Sequence, residues 1–99
     1  MIRHTVIFKL KHAAGSEFEL EFLRAAQKLA DIPVVKNFES LNQISEKNNY
    51  DFGLSKEFTS QEDYQVYNAH PDHFHFVQTR WIPEVTDFME IDYEPYSEA

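Results

Sequence analysis

Three features of the 99-residue chain predict an α+β fold, a four-stranded antiparallel sheet with helices on one face. Apolar and polar residues alternate near both ends, as half-buried strands require. Between them lie stretches with apolar residues at helical spacing, opened by capping residues. The charge is also split. Residues 1–50 carry 7 basic and 6 acidic side chains, residues 51–99 carry 2 and 11, and no Lys or Arg follows Arg80.

The elements follow in order. Residues 2–11 alternate, with Ile2, His4, Val6, Phe8 and Leu10 on one face and Arg3, Thr5, Ile7, Lys9 and Lys11 on the other. This is a strand with a basic polar face. After a loop at 11–15, Ser16-x-x-Glu19 forms a capping box. Phe18, Phe22, Ala25 and Leu29 make one apolar stripe of a helix that ends near Asp31, before Pro33. A weaker strand is predicted over 34–45, a turn at 46–49, and a third strand over 50–58 with Phe52, Leu54 and Phe58 on one face. Thr59 or Ser60 caps a short helix whose first turn holds Glu62 and Asp63. Pro71 opens a further helix over 71–80, and Pro83 ends that segment. The last strand, 86–94, sets Met89, Ile91 and Tyr93 against Glu90, Asp92 and Glu94. Residues after it are expected to fray.

The order β-α-β-β-α-α-β predicts a ferredoxin-like antiparallel sheet, strand order 4-1-3-2, with helices on one face. That order sets the first strand beside the last. Arg3, Lys9 and Lys11 are then expected to pair with Glu90, Asp92 and Glu94, each exposed pair worth about 0.2–1 kcal/mol. Ile7 opposite Val6 and Phe8, and Phe88 opposite Met89, put apolar residues on both sheet faces. A second copy packed face to face would cover the outer one, so a homodimer is expected.

Composition narrows the partners. Length fits one domain spanning 1–99. A net charge of −8 repels phosphate backbones, so neither nucleic acid nor anionic membrane is an expected partner. Without cysteine there is no disulfide framework, thiol nucleophile or Cys-ligated metal. Arg3 and Lys9 interrupt the first apolar stretch, so neither signal peptide nor membrane span is expected, and the location predicted is cytoplasmic. No Gly-rich phosphate loop or GxSxG is present, and no cofactor is expected.

Several segments together resemble one family. They are Ile2-Arg3-His4-Thr5-Val6-Ile7-Phe8-Lys9-Leu10, Tyr50-Asp51-Phe52-Gly53-Leu54-Ser55, Tyr67-Asn68-Ala69-His70-Pro71-Asp72-His73 and Ile91-Asp92-Tyr93. Across nearly the whole chain the sequence resembles the stress-responsive A/B barrel (Dabb) domain family. The resemblance implies a dimeric α+β barrel of ferredoxin-like protomers, in a family where most members have no assigned activity. One characterised relative is olivetolic acid cyclase, which catalyses an intramolecular aldol condensation.

The resemblance to that cyclase carries a catalytic pair onto Tyr67 and His73, through Tyr-x-x-His-Pro-x-His, and an orienting carboxylate onto Asp92. The chemistry is coherent. A neutral His with a pKa of about 6.5 takes a proton beside a carbonyl, and a Tyr hydroxyl stabilises the oxyanion. Alternation, however, puts Asp92 with Glu90 and Glu94 on a solvated face, from which it reaches His73 only if that face turns toward the helices. The cyclase also has a histidine where this chain has Phe52, which removes a polar group. His70, Asp72, His73 and His75 lie close together, but His75 points away from His73 on a helix, and no metal is expected. His4 is either a satisfied core histidine or, with Phe52, Tyr67, His73 and Trp81, the wall of an aromatic-rich pocket for a flat or acyl, uncharged ligand. Two functions stand side by side: a small-molecule-binding protein with acid/base chemistry by Tyr67 and His73, or a non-enzymatic dimeric stress-response protein whose histidines and aromatics are structural.

Overall fold

The computed structural model describes residues 1–97. Strand β1 (Ile2–Leu10) leads into helix α1 (Glu17–Gln27), prolonged by a 3-10 turn at Lys28–Asp31. Strands β2 (Lys36–Asn42) and β3 (Phe52–Phe58) follow, then helix α2 (Gln61–Ala69) and helix α3 (Pro71–Phe76). A π-helical turn at Val77–Trp81 and a last turn at Ile82–Glu84 continue α3 into strand β4 (Val85–Tyr93). All pairings are antiparallel and the order is β2-β3-β1-β4, the 4-1-3-2 arrangement expected from the sequence.

Local chemistry sets the element ends. The Ser16 side chain accepts from the Glu19 N–H and the Ser60 side chain from the Asp63 N–H, satisfying otherwise free donors of α1 and α2. His70 caps α3 in the same way, its Nδ1 accepting from the Asp72 N–H, and Pro71 occupies the first turn. The regular helix expected over 71–80 stops at Phe76. Pro83 has no N–H for the Thr79 carbonyl, and the turn widens, with the Ile82 N–H bonding the Val77 carbonyl five residues back. Glu84 pins the end of this segment. Its carboxylate meets His12 Nε2 at 2.6 Å and Arg80 Nε at 3.0 Å, and its carbonyl accepts from the Lys11 N–H.

The inner face of the sheet packs on the helices. Phe8, Phe22 and Phe58 are fully buried, with Leu29, Ile32, Leu54 and Phe76 around them. Phe8 lies 5.7 Å from Phe22 and 5.0 Å from Trp81, ring centre to ring centre. Each such buried side chain contributes about 1.5–3 kcal/mol through apolar burial.

The register corrects one expectation. His4 stands opposite Asp92 and Val6 opposite Glu90, so both acidic residues belong to the helix-facing side. The basic residues of β1 therefore find other partners. Arg3 meets Glu57 at 3.8 Å, Lys9 meets Asp51 at 3.7 Å, and among the described residues neither forms an ion pair with β4. The outer face instead carries Tyr93 opposite Arg3, Ile91 opposite Thr5 and Met89 opposite Ile7, with Leu41 continuing the Met89–Ile7–Gly53 row on β2. Leu41, Met89 and Tyr93 are exposed there. Among the described residues no helix is long and apolar enough to cross a membrane.

Candidate functional site

Between the sheet and the α2–α3 layer lies a cavity of about 540 Å³. Its polar lining comes from five elements: His4 of β1, Lys56 of β3, Tyr64, Tyr67 and Asn68 of α2, His73 of α3 and Glu90 of β4. Leu29, Leu54, Trp81, Val85 and Phe88 supply much of the apolar wall. The π-helical turn places Trp81 there, edge-on to Phe88 at 5.5 Å.

Tyr67 and His73 are brought together. Their rings lie 4.4 Å apart because Tyr67 stands in the last turn of α2 and His73 sits in the first turn of α3, across the His70-Pro71 corner. His73 Nδ1 lies 3.3 Å from the Asn68 carbonyl. A carbonyl only accepts, so Nδ1 carries the proton and Nε2 remains a base. Burial pushes the His73 pKa down, which keeps the ring neutral near pH 7. Burial pushes the Tyr67 phenol up, so its hydroxyl stays protonated and serves as a donor.

Asp92 orients a different histidine. Its Oδ1 accepts from His4 Nδ1 at 2.5 Å, and its Oδ2 accepts from the Tyr64 hydroxyl at 2.9 Å. The Tyr64 oxygen lies 2.9 Å from His4 Nδ1 as well, closing a three-residue network. A carboxylate fixes the His4 tautomer as it would for a general base. Burial, followed by the nearby Lys56 charge, still lowers the His4 pKa, against the opposing pull of Asp92. Phe52 does not line the cavity; its ring lies behind, 5.8 Å from Phe8. The His70 ring is occupied with its cap, and among the described residues no three His, Cys, Asp or Glu side chains converge as a metal set.

Sequence reasoning missed Lys56, Tyr64 and Glu90. Parity alone places Lys56 on the Phe52–Leu54–Phe58 face of β3, and helical spacing places Tyr64 three residues before Tyr67. Lys56 is 2% exposed, enclosed between the rings of Phe38 at 5.6 Å and Tyr67 at 5.4 Å. A bulge in β2 aids this packing: Lys36 opposes Glu57 and Glu39 opposes Ser55, with Asn37 in left-handed backbone at φ 50°.

Comparison with known proteins places the chain. It is 30% identical over 95 residues to a stress-response A/B barrel domain-containing protein of Arabidopsis thaliana, covering 94% of this chain and 36% of that protein. The chain thus spans about a third of that relative's length. It is 55% identical to a Dabb family protein with a ferredoxin-like fold from Mesorhizobium loti, TM-score 0.96, covering 97% of each chain. A dimeric ferredoxin-like protein of unknown function from Thermobifida fusca superposes with TM-score 0.76 at 24% identity, covering 93% of this chain and 88% of the other. The model of the stress responsive A/B barrel domain matches residues 2–95, and the chain belongs to that family.

Proposed function

We propose that this protein binds a small, mainly apolar or aromatic molecule in the cavity and moves a proton on it, with His73 as the base and Tyr67 as the donor to the developing oxyanion. The observation that carries the reading is the Tyr67–His73 pair, 4.4 Å apart on the wall of one cavity. The His73 Nε2, without a hydrogen bond among the described residues, takes a proton from a carbon beside a carbonyl. The Tyr67 hydroxyl, without a hydrogen bond among the described residues, then meets the enolate oxygen. The proton returns from the imidazolium to the product, so the pair ends as it began. Asp92 holds His4 as a second neutral imidazole in the same cavity and plays no direct part at His73. The working form is a homodimer joined through the outer sheet face, like the Thermobifida fusca protein in being dimeric, and we place it in the cytoplasm.

An aryl methyl ketone such as 2-acetonaphthone, incubated in D2O, tests the chemistry. The protein should accelerate deuterium uptake at the methyl carbon. His73→Gln should remove about 10²–10⁴ of the acceleration and Tyr67→Phe about 10²–10³. Binding of the ketone with no faster exchange would favour the alternative, a non-enzymatic protein, consistent with the His73 bond to the Asn68 carbonyl.

A further inference from the structure

The cavity contains a cation that the proposed acid/base pair does not use. Lys56 is buried to 2% exposure and lines the cavity wall, yet its ammonium makes no hydrogen bond or ion pair among the described residues. Its neighbours are the faces of Phe38 and Tyr67, which attract a cation but leave its donors unfilled. A buried charge without a counterion in direct contact is costly, and an anionic group arriving with a ligand would relieve that cost. The carboxylates of the site stand elsewhere. Lys56 pairs with His4 across β3 and β1, while Asp92 and Glu90 lie on β4, beyond β1. Two interstrand spacings put their backbones about 10 Å from that of Lys56, and both carboxylates act on the ammonium through space, raising its pKa against the larger effect of burial. One end of the cavity is therefore cationic, the other acidic, and the space between is aromatic and aliphatic.

We infer that Lys56 is the anchor of a carboxylate subsite, and that the ligand of this cavity is an apolar, ring-sized acid whose carboxylate pairs with the Lys56 ammonium beside Tyr67. This rests on the reading of the cavity as a ligand site and refines it: the uncharged ligand expected from the aromatic residues becomes an amphiphilic acid. The apolar body then runs toward Trp81 and Phe88, and the Glu90 end of the cavity disfavours a second acidic group on the ligand.

The groups facing Lys56 are His4 of β1, Tyr64 and Tyr67 of α2, His73 of α3, and Glu90 and Asp92 of β4. Burial lowers the Lys56 pKa to about 8, so the ammonium is present at pH 7 and lost above that value. Calorimetric titration of the whole chain with 2-naphthoic acid and with 2-naphthamide separates the possibilities. At pH 7 the acid should bind at least tenfold more tightly than the amide, and the difference should shrink above about pH 8. Lys56→Met should erase the acid's advantage while leaving amide binding within threefold. Equal binding of the two by the unaltered protein, or an acid preference that survives Lys56→Met, overturns the carboxylate subsite but leaves the ligand cavity standing. Binding of neither probe overturns both. The comparison within the unaltered protein decides the matter even if the variant fails to fold.

Discussion

Lys56 makes the stability of this protein depend on pH in an unusual direction. Its pKa falls from 10.5 to about 8 on folding, so between these values the unfolded chain holds a proton that the native state has lost. Stability therefore rises with pH across that window. Tyr64 and Tyr67 give the opposite slope, since burial raises both phenols and the unfolded chain loses those protons first, from about pH 10 upward. The net gain is confined to about pH 8–10. At about 1.36 kcal/mol per unit this is worth roughly 2–3 kcal/mol. Urea midpoints should rise from pH 7.5 to 9.5 in the unaltered protein and stay flat in Lys56→Met; a flat profile in both would show that Lys56 is solvated. The same residue marks what could be read from sequence at this scale. Tyr67, His73 and His4 were legible because a motif or an apolar face framed each. Lys56 sits at an inward position too, but a lysine reads as solvated until the rings that enclose it, from β2 and α2, are known.

At the scale of the element, what a strand faces depends on its register, which alternation does not contain. The β4 pattern was legible as a strand, yet Glu90 and Asp92 were assigned to a wet face paired with Arg3, Lys9 and Lys11. Opposite residues in an antiparallel pair share a side, and the observed pairing of His4 with Asp92 turns the acidic row inward. The caps, by contrast, are local and were read directly. Ser60 matters most for the site, because α2 carries Tyr64, Tyr67 and Asn68 into the cavity and has few residues beyond its first turn. Ser60→Ala leaves the Asp63 N–H without its side-chain acceptor and should cost about 1 kcal/mol, while Ser60→Asp, another good cap, should cost much less. Urea unfolding of the three proteins checks this ordering, and equal midpoints would mean that water replaces the cap at no cost. The π-helical turn was not legible, because Pro83 announces an end to the helix without saying that the turn before it widens.

For the whole molecule, the outer sheet face poses the largest question of free energy. Leu41, Ile7, Met89, Ile91 and Tyr93 share it, and the described helices all lie on the opposite side. Leu41 at 46%, Met89 at 49% and Tyr93 at 53% exposure leave a contiguous apolar patch in water, a feature that marks an association surface. In the proposed homodimer a second copy offers the same row through a two-fold axis, burying both at once. Charge opposes this, since each chain brings −8, and the repulsion is screened by salt whereas the apolar contact is not. The dimer should therefore tighten as salt rises from about 20 to about 200 mM, which shortens the Debye length from about 20 Å to about 7 Å. Met89→Asp adds like charges within the apolar row of the face and should leave monomer at micromolar concentration, with the fold intact because the side chain is already half exposed. Sedimentation velocity at several concentrations distinguishes the cases. A monomer at all salts in the unaltered protein, or a Met89→Asp protein that stays dimeric, would move the interface away from this sheet; salt that loosens the dimer would mean that ion pairs, and not the apolar row, hold the copies together.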